Sequence, residues 1–430
     1  MQAKQSCTRS NQVAPFHDYW RDRTPDKRCR RLAERLPELL KAQGRQRIRN
    51  RAGLVDLAEP LIVNLAHHAG WHRRLLVSRD TSNRNPLPGL LDALERAGYV
   101  RQHIAPASPL GGCTTEVEPL PPLLDTLAPV AAAEILPELR AVVEMRDSAG
   151  QPVKVPARAL RELTPPINRL NRRLRTVEMT LFGELLVAPQ VRRVFNLDLE
   201  HGGRWYHPLQ NRSKAERAAL ELDGEPVIEL DFNALHPRLI YAREGMQYPL
   251  DRCPYRDACR DPDDDAERKA MKGIGFQVIN DTSPEQAIAH LEARQHPGRV
   301  AAYHRHRAEL AEWAALPPEQ RTAPPRRPAG LWDTFEPLSP EIDVRAAVSR
   351  FLAAHESIAY TFSREGQALE LQHADARIAE RVIARCVERR WAVLPVHDSF
   401  IVQARHAAGL RTFMDDAYAD ETSGYRCPIK

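Results

Sequence analysis

Two short apolar runs, far apart in the chain and each meeting an aspartate, constrain the fold more than any other feature. The first is Val227-Ile-Glu-Leu-Asp-Phe-Asn-Ala-Leu-His-Pro-Arg238. Val227, Ile228 and Leu230 follow the punctuation of Gly224 and Pro226, as a β-strand does. Asp231 stands at the strand's C-terminal end, and Leu235, Leu239 and Ile240 resume at a helical spacing. The second is Val393-Leu-Pro-Val-His-Asp-Ser-Phe-Ile-Val402, where two apolar runs flank His397-Asp398 at the tip of a hairpin. Two such strands, side by side, bring Asp231 and Asp398 together. A carboxylate on a strand-to-helix corner is held by rigid backbone at a cleft, which suits a metal ion. Taken singly, each has a plainer reading: Asp231 as a helix N-cap, Asp398 as a turn residue.

The 430 residues suffice for two or three domains. At 43% hydrophobic and 28% charged, the composition is that of a soluble globular protein. The 62 Lys+Arg against 57 Asp+Glu leave a net charge of only +5, which hides basic stretches from Arg21 to Arg51 and from Arg161 to Arg175. Such stretches permit nucleic-acid binding and equally fit solvated helix faces. The seven cysteines form no Cys-x-x-Cys, which disfavours a zinc ribbon and implies a reducing, cytoplasmic setting. No apolar run reaches the roughly 18 residues of a membrane span, so no membrane partner is expected. The 35 prolines cut the chain into short elements.

Taken in order, residues 1–30 form a basic arm with interleaved Phe16, Tyr19 and Trp20. The spacing of Leu32, Leu36, Leu39 and Leu40 predicts a helix from Arg31 to Gln43. Gly53 to Ala69 reads as a second helix, interrupted by Pro60. A third ends at Gly98, followed by a short strand, a Pro/Gly loop from Pro106 to Gly112, and a strand over Cys113 to Val117. Helix, strand, loop and strand in that order resemble the last helix and wing of a winged-helix domain over residues 31–127. Winged helices often bind DNA. Asp92 and Glu95 on the relevant helix disfavour phosphate contact, and a packing module fits as well. Residues 128–200 read as a connector and thumb-like segment. They hold a hairpin turning at Ala149-Gly150 and, over 165–182, a basic helix passing into a strand, with Asn168, Arg169, Arg172, Arg173 and Arg175 near Leu170 and Leu174. Further helices are expected from Pro284 to Ala293, Val300 to Ala315, Val344 to Ala354 and Leu369 to Val387, with a Pro-rich loop from Pro317 to Pro328.

Four segments then line up: Gly203-Arg204 with Leu209-Gln210-Asn211; the Asp231 strand with Phe232 and Arg238; Arg268-x-x-x-Lys272-x-x-x-Phe276; and His397-Asp398-Ser399. In this order they resemble the family A DNA polymerases and the phage-type single-subunit RNA polymerases, over about residues 165–410. The helix carrying Gln372 and Asp375 is similar to the one that precedes the last motif in both groups. The resemblance implies an α+β fold: a right-hand polymerase-like palm of antiparallel sheet and helices with helical fingers over residues 201–430, behind the mainly α winged-helix-like domain.

The resemblance also implies a chemistry. Nucleotidyl transfer from a nucleoside triphosphate to a 3′-hydroxyl uses two metal ions about 3.5–4 Å apart. Asp231 and Asp398 would hold two Mg²⁺, with Mn²⁺ able to substitute, because hard cations want oxygen ligands. Arg268 and Lys272, four apart, share a helix face and would neutralise the triphosphate. Lys272 would also donate a proton to the leaving pyrophosphate. Phe276 would stack near the incoming base. Arg204, Gln210, Arg238, Gln372 and His397 would meet the primer–template, a DNA or an RNA. Two positions depart from the DNA-polymerase pattern: His236 stands where that family has Glu, and Asn280 where it has Tyr. Both belong to the nucleotide-binding set, and the sugar preference is therefore open. Asp198-Leu-Glu200 is read as a loop and not as an exonuclease motif. Two other function classes stay open: a metal-dependent nuclease on the same carboxylates, and a non-catalytic DNA-binding protein on the same scaffold.

Overall fold

The computed structural model describes residues 13–16, 20–42, 51–69, 74–78, 87–104, 114–131, 137–139, 142–186, 188–315, 328 and 336–430. The expected Pro106 to Gly112 loop lies outside them, as do Tyr19, Cys113 and all of the Pro317 to Pro328 loop except Pro328. The chain forms an α+β fold divided into two compact units.

The first unit comprises residues 1–141 with 184–188 and 316–324. Its strands are β1 (Val13–Pro15), β2 (Trp20–Asp22), β3 (Arg74–Ser78), β4 (Val100–Ile104), β5 (Thr114–Pro119) and β6 (Pro137–Leu139). Its helices are α1 (Arg28–Ala42), α2 (Arg51–Ala69), α3 (Leu87–Arg96) and α4 (Pro121–Ala131). Leu32, Leu36 and Leu40 of α1 are buried, as their spacing implies. The expected interruption at Pro60 does not occur, and α2 runs through it. Leu61, Ile62, Val63, Leu65 and Ala66 are all buried, so packing on every side outweighs the one backbone bond a proline removes. The Asn64 side chain also donates to the Pro60 carbonyl at 2.8 Å. The sheet order is β1-β3-β5-β4, with β1 parallel to β3 and the other pairs antiparallel. After α3, Gly98 takes φ +75° and turns the chain into β4. Asp92 and Glu95 of α3 bind Gln102 of β4, which engages both acidic groups within the unit.

The second unit comprises residues 142–183, 189–315 and 325–430. It begins with the expected hairpin: β7 (Val143–Arg146) and β8 (Pro152–Val153), with Gly150 at φ +74° in the turn. Next come α5 (Ala157–Leu174), which starts earlier than the sequence suggested, and β9 (Met179–Leu181). The short strand β10 (Glu184–Leu186) groups with the first unit. Strands β11 (Arg192–Asn196) and β12 (Gly202–Tyr206) complete a small sheet ordered β12-β11-β7-β8.

The larger sheet positions the site. It adds β13 (Leu220–Leu222), β14 (Glu225–Asp231), β15 (Leu394–Val396) and β16 (Ser399–Gln403), in the order β9-β13-β14-β16-β15, all antiparallel. Leu230, Phe400, Ile401 and Val402 are buried in it. The helices of this unit are α6 (Lys214–Ala218), α7 (Leu235–Arg243), α8 (Asp265–Asn280), α9 (Pro284–Gln295), α10 (Pro297–Ala315), α11 (Val344–Ala354), α12 (Gln367–Glu388) and α13 (Ala407–Glu421). α8 starts at the end of an acidic run, Asp261-Pro-Asp-Asp-Asp265, and the Asp264 side chain caps it through the Ala266 N–H at 2.7 Å.

Candidate active site

The hairpin β15–β16 turns on two residues, His397 and Asp398, with His397 at φ +55°. Strand β16 lies against β14 with Asp231 directly opposite Ser399, one residue from Asp398. The Phe232 N–H donates to the Asp398 carbonyl at 3.3 Å, which closes the corner. The two aspartates therefore meet at one end of the sheet. Asp231 is not a helix cap: Ala234, at φ 57°, caps α7. Asp198 folds back on Glu200 N–H and His201 in a turn.

A third carboxylate comes from α12. Asp375 is buried and takes Nε and Nη2 of Arg204, each at 2.8 Å from its Oδ2. Two glycines bring Arg204 there. Gly202 and Gly203 have φ of +70° and +76°, next to a bulge in β11. A Cβ on Gly203 would stand 2.6 Å from the ring of Phe195, which is 1% exposed. Gly203→Ala is thus expected to destabilise the protein by about 2–4 kcal/mol, the sum of a left-handed alanine and an overpacked ring. Denaturant unfolding measures it.

Arg204 Nη2 also donates to His236 Nε2 at 3.2 Å, so that nitrogen carries no proton. Burial, with Arg204 beside it, pushes the imidazole down to about 4 despite the opposing pull of Asp375. His236 is consequently a neutral ring at physiological pH. His397 is lowered too, by burial first and then by Arg204, and its ring meets Tyr206 edge-on at 6.4 Å. Removing Arg204 would strand a buried Asp375. Arg204→Ala is expected to cost about 3–5 kcal/mol of stability, whereas Arg204→Ala with Asp375→Asn should recover much of it in the same unfolding experiment.

Behind the hairpin, Glu229 receives Arg217 through two bonds of 2.9 and 2.8 Å. The Ser399 hydroxyl lies 2.7 Å from Glu229 Oε1. Burial opposes ionisation of Glu229, but the hydrogen bonds from Arg217 and Ser399 outweigh it and hold the carboxyl below its ordinary range. Asp398 goes the other way. Its burial, and then the like charges of Asp231 and Asp375, push its carboxyl up to about 7. Hard oxygen donors whose like charges oppose one another at one corner fit a divalent cation. Among the described residues no cluster of three or more His, Cys, Asp or Glu is arranged to hold a metal. Asp231 and Asp398 are the two carboxylates at this corner that could hold such an ion, a pair and not a full ligand set.

The other expected site residues fall into three groups. Arg268, Lys272 and Phe276 follow one another along α8 and line one broad cavity of about 1150 Å³. Phe276 is 57% exposed, and the Asn280 side chain folds back to the Phe276 carbonyl at 2.6 Å. Tyr255 lines the same cavity, and its hydroxyl is raised by burial first and then by Asp398, with Arg268 pulling it the opposite way. Gln210 lies in a 3-10 turn after β12 with its Oε1 near the His207 N–H, and Gln372 is half-buried on α12. Arg238 is different. It is 1% exposed, and its guanidinium donates to the carbonyls of Asn233, Tyr248, Pro249 and Arg252. That geometry braces the loop after α7 and turns no donor to solvent.

Sequence reading assigned no role to Asp375, Glu229, Tyr255 or Lys430. For Asp375 the signal was its place in the helix ahead of the hairpin; the other three had none.

No protein-family model matches the chain, and no curated protein does. Among solved structures it is similar to the POL domain of Pol1 from M. smegmatis, in complex with DNA primer-template and dNTP, at 14% identity and a TM-score of 0.28. The match covers 64% of this chain and 50% of that one, so the chain spans about half the length of that structure. No helix among the described residues is long and apolar enough to cross a membrane.

Proposed function

We propose that the protein is a template-directed nucleic-acid polymerase, transferring a nucleotide from a nucleoside triphosphate to a 3′-hydroxyl at Asp231 and Asp398. The observation that carries this reading is the register of β14 on β16, which sets the two carboxylates side by side at the end of an antiparallel sheet. Two divalent ions held there, Mg²⁺ or Mn²⁺, would supply charge stabilisation to the attacking and leaving oxygens. The chain's own residues do the rest. Arg268 and Lys272 neutralise the triphosphate, Lys272 gives a proton to the departing pyrophosphate, and Phe276 offers a stacking face to the base. Neutral His236 and Asn280 border the nucleotide. Arg204, Gln210, Gln372 and His397 face the primer–template, and Arg238 is assigned to bracing. The paired cations on α8 favour triphosphate chemistry over a nuclease. In residues 31–127, the α3, β4, β5 order supports a winged-helix-like module with a recruiting role.

The test is incorporation on a labelled primer–template, and on template without primer, with dNTPs and NTPs in separate reactions. Extension that needs Mg²⁺ or Mn²⁺ and is lost in Asp398→Asn supports the reading, and the nucleotide that works gives the sugar preference. Primer shortening lost in the same variant would make the protein a nuclease. Retention of DNA in a gel shift with no change in its length would leave a binding protein.

A further inference from the structure

Asp231 has neighbours on both sides. On one side is Ser399 of β16. On the other is a segment with no periodicity in the sequence, Arg426 to Lys430. Lys430 N–H donates to the Asp231 carbonyl and Asp231 N–H to the Lys430 carbonyl, both at 2.9 Å. Phe232 bridges Ile429 in antiparallel fashion, and Asn233 N–H donates to the Pro428 carbonyl at 2.8 Å. Further back, Gln247 exchanges two hydrogen bonds with the Arg426 backbone, at 2.8 and 3.0 Å, and Cys427 is buried beside the Asn233 carbonyl. The segment is therefore stitched along the whole Asp231–Asn233 corner.

This register has a consequence for charge. Residues that exchange both backbone bonds stand directly opposite each other, about 5.5 Å apart at Cα, with their side chains on one face. Lys430 is thereby aimed at Asp231, and its Nζ lies 3.4 Å from Asp231 Oδ2. The lysine side chain is 50% exposed and the aspartate's 22%, so the ammonium can swing into water without leaving a cavity.

We propose that Lys430 is a built-in counter-cation of the carboxylate pair: its ammonium holds Asp231 Oδ2 in the metal-free protein, and a divalent ion entering the site displaces it. The inference rests on the metal-binding reading of Asp231 and Asp398. It gives Lys430 a positioning role. The lysine keeps Asp231 on the rotamer that faces the site, and it sets how strongly the site takes up metal. The backbone pairing of Lys430 does not depend on its side chain, so replacing the side chain leaves the stitched corner in place.

The test is a Mn²⁺ binding isotherm, read from free Mn²⁺ by electron paramagnetic resonance, for wild type, Lys430→Gln, Lys430→Arg and Asp398→Asn. Removing a partly exposed ion pair that competes with metal should tighten Mn²⁺ binding about two- to fivefold in Lys430→Gln. Lys430→Arg, which keeps the charge, should stay close to wild type. Mn²⁺ binding that is unchanged or weaker in Lys430→Gln, while Asp398→Asn abolishes it, would overturn the counter-cation and leave the metal site standing. Mn²⁺ binding by wild type that Asp398→Asn does not alter, or no binding at all, would remove the site itself and the inference with it.

Discussion

Asp398→Asn is expected to lower primer extension by at least about 10³-fold, because metal-held charge stabilisation supplies several kcal/mol of the barrier reduction in such reactions. Asparagine keeps the size of the side chain and its place in the two-residue turn. It removes a carboxyl whose ionisation burial and the like charges of Asp231 and Asp375 already oppose. The variant's melting temperature should therefore be equal to or above that of wild type. Loss of activity with retained or increased stability separates a catalytic aspartate from a structural turn residue. Wild-type rates in Asp398→Asn would end the catalytic reading of the pair.

The second large effect is expected at Lys272. Lys272→Ala should reduce kcat by about 10²–10⁴-fold, the range of a lost general acid. Its side chain is exposed on α8, and alanine suits a helix interior, so stability should move by no more than about 0.5 kcal/mol. Lys272→Arg distinguishes the two roles. An arginine keeps the positive charge for the triphosphate but does not release its proton. KM for the nucleotide should then recover while kcat stays low. Recovery of both would reduce Lys272 to a point charge; an unchanged kcat in Lys272→Ala would remove it from the chemistry altogether.

Much of the local structure around these residues was legible in the chain. The strand ending at Asp231, the two-residue turn at His397-Asp398 and the Val344–Ala354 helix all follow from short-range rules: apolar alternation, turn chemistry, helical spacing. The acidic run Asp261–Asp265 suits a helix start because the helix dipole favours negative charge there, and Asp264 caps α8. Local rules failed where packing overrode them. Pro60 predicts a break, yet α2 is enclosed by core on every side and continues. Arg238 has the spacing of a site residue, yet it is buried among four carbonyl acceptors, and nothing in its neighbours' identities signals that enclosure.

The order of residues along the chain set which elements could carry chemistry and which residue types they would present: an aspartate at a strand end and another at a hairpin tip, two cations and an aromatic along one helix, an arginine after Gly203. Which of these groups meet was set by long-range packing. The sheet register placed Asp231 beside Ser399, the approach of α12 to β12 joined Asp375 to Arg204, which also reaches His236 of α7, and a stitched segment laid Lys430 against Asp231. Strand and helix propensities act over a few neighbours, whereas register and packing are set by contacts between residues far apart in the chain. A buried charge finds its partner only through the latter.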